Sequence, residues 1–135
     1  MLDVVDPATG ILAGRQSQQD GFDSHLPSIM DFPLQEAICR ALPTDSLRWG
    51  EGMTRVYDCL SHDFVYHDLS KMMIFVANHD TDRIGDIVRG NPDRLKLSMA
   101  MLATMRGIPQ IFSGDEMMFT SKDLSQGHGG LRVDF

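Results

Sequence analysis

Three histidines are followed directly by aspartate: His62-Asp63, His67-Asp68 and His79-Asp80. An imidazole beside a carboxylate can move a proton, hold a divalent metal, or hydrogen-bond to the hydroxyls of a sugar. Only the third doublet leaves a continuous apolar run, Met72-Met73-Ile74-Phe75-Val76-Ala77, which passes into Asn78-His79-Asp80-Thr81-Asp82-Arg83. A strand that delivers Asn78, His79 and Asp80 together at its exit offers several hydrogen bonds to one ligand. An ionised Asp80 can also steady positive charge on an oxocarbenium ion. Taken alone, the doublet reads more readily as structure, with Asp80 capping a turn and His79 packed.

The elements around the triplet decide what it faces. A six-residue apolar run bounded by polar residues suits a parallel strand covered on both faces. Upstream, residues 1–25 read as loop, with a frayed helix near Ile11–Gln18. Leu26-Pro27-Ser28-Ile29-Met30-Asp31-Phe32-Pro33 predicts a short buried strand ending near Phe32. Leu34–Leu42 then forms a turn or two of helix stopped by Pro43. Thr44 or Asp45 is the candidate cap of a second helix carrying Leu47, Met53, Val56, Tyr57 and Leu60, and His62–Lys71 is loop.

The third helix has the clearest signals. Asn91 before Pro92 is a good cap, Asp93 adds a favourable charge, and Gly107 is the expected stop. Its apolar stripe is Leu95, Met99, Leu102 and Met105, broadened by Leu97, Ala100 and Met101. Ile108-Pro109-Gln110-Ile111-Phe112 reads as another buried strand, leaving 117–135 as loop. The order strand, helix, strand, helix, strand predicts an α/β fold with a parallel sheet. Chemistry in such sheets gathers where strands end. Asp31-Phe32-Pro33, Asn78-His79-Asp80 and Gly114-Asp115-Glu116 all place acids at such exits.

Composition narrows the partners. Twelve basic against nineteen acidic side chains give a net charge of −7, the wrong sign for tracking phosphates, so nucleic acid is excluded as a partner. No basic cluster suits a lipid surface, and the longest apolar run is too short to span a membrane. The N-terminus lacks a signal-peptide pattern, so a soluble chain from a cytoplasmic or periplasmic parent is expected, its compartment unknown. Cys39 and Cys59 do not form a C-x-x-C pair and read as reduced thiols, a mutual disulfide staying open.

Four blocks resemble the α-amylase family, glycoside hydrolase family 13. Phe75-Val76-Ala77-Asn78-His79-Asp80 resembles its F-V-x-N-H-D block. Gly107-Ile108-Pro109 through Gly114-Asp115-Glu116 is similar to the G-x-P-x-x-x-x-G-D-E block of the eighth strand, with Phe112-Ser113 in place of paired tyrosines. Asp20-Gly21-Phe22-Asp23-Ser24-His25-Leu26 through Leu34 resembles the sixth-strand region of neopullulanase and cyclomaltodextrinase-like members. Gly130-Leu131-Arg132-Val133-Asp134-Phe135 resembles the start of their R-x-D-F-P-G-G segment. The blocks stand in family order over residues 20–135.

The resemblance implies a partial (β/α)8 barrel covering roughly strands 6 to 8, one domain over 1–135 truncated at both ends. It implies that Asp80 is the carboxylate that stabilises the transition state, and that His79 and Asn78 bind substrate. Asp115 and Glu116 would shape the barrel rim. The implied substrate is an α-glucan: starch-type oligosaccharides, pullulan or cyclodextrins, cleaved with retention. No cofactor is expected, calcium in the parent enzyme staying open. Retention needs a nucleophile and an acid/base carboxylate about 5–5.5 Å apart. The glutamates Glu36, Glu51 and Glu116 match no acid/base motif, and Gly130-Leu131-Arg132-Val133-Asp134 matches a G-x-R-x-D nucleophile block only in the wrong position. The chain alone is therefore expected to be inactive and to need the missing barrel strands. The rival readings are an inactive carbohydrate-binding relic and, from the His-Asp doublets, a metal-dependent phosphohydrolase.

Overall fold

The computed structural model describes residues 4–6, 11–13, 28–45, 48–66, 68–121 and 124–132. Near the N-terminus β1 (Val4–Asp6) and β2 (Ile11–Ala13) pair antiparallel, with Val4 opposite Ala13. Over these two strands the pair corrects the expected loop and the start of the expected frayed helix, while the rest of both segments lies outside the described residues. β-branched Val4, Val5 and Ile11 favour extended backbone.

The next strand is shorter than expected. Met30 makes a single parallel bridge to Met73, flanked by Asp31 N–H to Met73 O (2.9 Å) and Met73 N–H to Ile29 O (2.8 Å). Leu26 and Pro27 lie outside the described residues. Phe32 and Pro33 belong to α1 (Phe32–Ala41) because Asp31 is its cap, accepting a hydrogen bond from Leu34 N–H at 3.0 Å. Pro33 costs nothing in the first turn, where its missing N–H has no partner to lose. Leu34, Ala37, Ile38 and Ala41 bury one face at helical spacing.

Thr44 closes α1 rather than opening a second helix, its hydroxyl donating to Arg40 O (2.9 Å). Asp45 instead meets Arg94 Nη2 at 2.5 Å. The helix α2 is confined to Thr54–Leu60, after Gly50 and Gly52 turn the chain with φ of 82° and 58°. Leu47 lies outside the described residues. The expected loop after α2 contains two short 3-10 turns, Asp63–Val65 and Leu69–Lys71.

The strand β3 (Met73–Ile74) pairs parallel with β4 (Ile108–Pro109), Met73 opposite Ile108. Around the Met30 bridge the sheet order is therefore Met30, β3, β4, all parallel. Met72 and the run Ile74 to Ala77 are buried, as two-sided cover predicts. The β4 side differs, with Ile108 half exposed and Ile111 more so, because among the described residues no further strand pairs with that edge.

Between the strands, α3 (Ile84–Ile87) was not anticipated, while α4 (Pro92–Thr104) follows its signals closely. Asn91 Oδ1 accepts from Asp93 and Arg94 N–H at 3.0 and 3.2 Å. Leu95, Met101 and Leu102 are buried and Met99 and Met105 pack beside them, whereas Leu97 and Ala100 face outward, so the stripe is narrower than expected. Gly107 lies three residues past the helix and turns the chain into β4 with φ 102°. A Cβ there would stand 2.5 Å from Met72 O, the acceptor for Ile108 N–H at 2.7 Å.

At the entry end of the sheet, Arg106 joins three elements. Its Nη1 meets buried Asp31 at 2.6 Å and its Nε meets Asp63 at 2.7 Å, with a second contact from Nη2 to Asp63. A buried carboxylate at a helix cap and a cation between two carboxylates offset each other's desolvation. These two hydrogen-bonded carboxylates hold the Arg106 guanidinium in its charged form, against the pull of its own burial.

Candidate functional site

The run Ile74 to Ala77 ends at Asn78, which is buried and folds the exit into a self-closed turn. Asp80 N–H donates to Asn78 Oδ1 at 2.8 Å, and Asn78 N–H donates to Thr81 Oγ1 at 2.9 Å. Such an Asx turn fixes the two residues that follow the asparagine. His79 and Asp80 are pushed outward, their side chains 58% and 52% exposed, with His79 Nε2 3.2 Å from Asp80 Oδ2. Arg132 Nη2 stands 3.9 Å from the other carboxylate oxygen. The exit thus offers an imidazole, a carboxylate and a guanidinium over a few ångströms, a group suited to sugar hydroxyls and to developing positive charge. Asn78 differs from its two neighbours: its side chain lies beneath the turn, and its Nδ2 is buried without a hydrogen-bond partner among the described residues.

The second exit is internal. Gly114 takes φ 92° and opens a 3-10 turn, Asp115–Met117, in which Asp115 has no exposure. Asp115 Oδ1 meets Arg83 Nη1 at 3.2 Å, while Oδ2 is buried without a partner among the described residues. Burial pushes the Asp115 carboxyl up to about 6, against the opposing pull of Arg83. Glu116 is exposed and caps the turn, its Oε2 accepting from Gly114 N–H (3.0 Å). Within the described residues both acids are engaged locally, Asp115 with Arg83 and Glu116 with its own turn.

Asp31 does not share this end of the sheet. Its neighbour across the ladder is close to Ile74, four residues before Asn78, which puts it about 13 Å down the strand. The three acid-bearing exits therefore reduce to two at one end, because the Met30 strand stops where β3 begins.

Sequence reasoning passed over Arg83. It is 1% exposed, donates from Nε to Leu131 O (2.9 Å) and from Nη1 to Ser113 O (2.6 Å), and lies 3.9 Å from the centre of the Phe112 ring. Its partners stand 30 to 48 residues away, so no local pattern announces them.

The other doublets are spent elsewhere. His62 Nδ1 lies 2.8 Å from Asp58 O, Asp63 holds Arg106, and His67 lies outside the described residues. Among the described residues no three His, Cys, Asp or Glu side chains stand together at metal-binding distance. No described helix is long and apolar enough to cross a membrane. Cys39 and Cys59 are free thiols, burial pushing each up to about 12, and Cys39 Sγ donates to Val76 O at 3.1 Å. A separate surface cavity of about 560 Å³, lined by Arg40, Arg55, Asp86 and Arg89 among others, shares no residue with the Asn78–Asp80 turn.

Comparison with known proteins gives this geometry a context. A cyclomaltodextrin glucanotransferase from Geobacillus stearothermophilus is 30% identical over 93 residues, 69% of this chain and 12% of that protein. A cyclomaltodextrin glucanotransferase with a three-domain ABC distribution superposes with a TM-score of 0.71 at 26% identity, covering 100% of this chain and 26% of its own. The α-amylase of Geobacillus thermoleovorans complexed with acarbose gives 0.62 at 27% identity, covering 82% of this chain and 24% of its own. The chain thus spans about a tenth of the curated relative and about a quarter of the two solved structures. The family model for the alpha amylase catalytic domain matches residues 16–131. The chain therefore belongs to the α-amylase family of glycoside hydrolases, and its parallel strands are part of that family's barrel-type fold.

Proposed function

We propose that this chain supplies one side of the substrate mouth of a retaining α-glucoside hydrolase, roughly strands 6 to 8 of its barrel. The observation that carries the reading is the Asn78 turn, which sets His79 and Asp80 side by side and exposed at the exit of a parallel strand. Asp80 steadies positive charge at the anomeric carbon, and His79 hydrogen-bonds the same sugar. Asn78 serves the substrate from beneath, by fixing the backbone of Asp80. The nucleophile and the acid/base residue come from barrel strands outside this chain, so the chain by itself hydrolyses nothing. Its substrate class is α-glucan: starch-type oligosaccharide, pullulan or cyclodextrin. The acarbose complex of the Geobacillus thermoleovorans enzyme supports that class by analogy.

Titration of the chain with acarbose, followed by heteronuclear NMR, tests the reading. Resonances of residues 78–81 should move with a dissociation constant of about 1 mM, as expected for an incomplete mouth. Asp80→Asn should weaken binding by about tenfold, the loss of one charged hydrogen bond. Equal binding by both forms, or shifts confined to other surfaces, would end the proposal.

A further inference from the structure

We infer that Arg83 is a positioning residue for the Asp80 carboxylate, acting through the tail: it fixes Leu131, and Leu131 delivers Arg132 to Asp80. The inference rests on the reading of Asn78–Asp80 as a sugar-facing turn.

Arg83 and Arg132 differ in kind. Arg83 is buried, and a guanidinium out of water is tolerated only where its donors are satisfied. Its described partners are Leu131 O, Ser113 O, Asp115 Oδ1 and the face of Phe112. Moving either carbonyl would leave a buried N–H without its acceptor, and moving Asp115 would take away the carboxylate that faces the charge, so the fork holds the β4 exit and the tail at fixed places relative to residue 83. Leu131 is anchored a second time, by its own buried side chain.

Residue 83 is three positions from Asp80, and the turn between them is closed by the Asn78 and Thr81 hydrogen bonds. Residue 132 is one position from Leu131. The path from guanidinium to carboxylate therefore has little slack on either side. It ends, among the described residues, with Arg132 facing Oδ1 and His79 facing Oδ2 of the same carboxylate. An exposed pair at 3.9 Å has little strength of its own. Anchoring Leu131 removes backbone freedom next to Arg132, so that only the Arg132 side chain remains to be ordered against Asp80.

The test is NMR on the full isotopically labelled chain, at concentrations where it is monomeric, without sugar and then with maltotriose. The Arg83 Nε–H should exchange at least about a hundredfold more slowly than in free arginine. Exchange at the free rate would overturn the proposal. Arg132→Gln should shift the side-chain carboxyl resonance of Asp80 in the wild-type background. The same substitution should produce no shift in an Arg83→Met, Asp115→Asn background, chosen so that no lone charge stays buried. A response that persists there would also overturn the coupling. If that background fails to fold, the Arg83 exchange rate in the native chain decides. Maltotriose separates the two ideas: coupling intact with no sugar response counts against the mouth reading alone.

Discussion

Asp115 shows how a single buried carboxylate makes stability depend on pH. Its ordinary range lies near 4, and burial in the folded chain raises it to about 6. Folding therefore favours the protonated form. The stabilisation is complete below about pH 4 and is lost as pH rises through about 6, by at most about 3 kcal/mol. Asp115→Asn, which stays neutral throughout, should flatten this part of the profile. Urea unfolding at pH 4.5 and 7 on both forms checks it; identical slopes would mean that Asp115 does not titrate there. At this scale the sequence was legible where chemistry is local. His79 and Asp80 stand adjacent in the chain and adjacent in space. Arg83 and Arg106 were not legible, because a lone arginine gives no hint that its partners stand 30 to 75 residues away.

Helices with strong ends were read well, and elements held by neighbours were not. Asn91 and Pro92 start α4 by local chemistry alone, and the structure puts the cap on two N–H groups. Asn91→Ala should cost about 1 kcal/mol, measured by chemical denaturation, while Asn91→Asp should cost much less. A loss near zero for alanine would show that tertiary packing alone holds the first turn. α3 spans four residues, too few for periodicity to show. It exists because Gly85 allows Phe119 O to within 2.5 Å of where a Cβ would sit. The strand near Met30 was overextended for a related reason: an apolar run followed by Pro33 reads as a strand end, but Asp31 had already capped the helix.

Among the described residues the sheet has an open side. β4 has a described partner on one edge only, and Ile108, Ile111 and Met117 are at least half exposed beyond it. An unpaired parallel edge with apolar flanks templates association with other chains. Sedimentation velocity should show self-association that rises with concentration, and Ile108→Lys with Ile111→Lys should reduce it while changing unfolding free energy by no more than about 1 kcal/mol. A monodisperse wild-type monomer across the range would contradict this. The family and the class of fold were legible from four short blocks, whereas the antiparallel pair β1–β2 was not, since three-residue strands carry too little pattern.

Gly107 has one more implication. Its hydrogen sits where a methyl would strike the carbonyl that receives Ile108, so the alignment of two strands hangs on an atom that is not there. Grafting this stretch onto another scaffold would have to carry position 107 along with both strands. Either strand moved without it would slide out of step with the other.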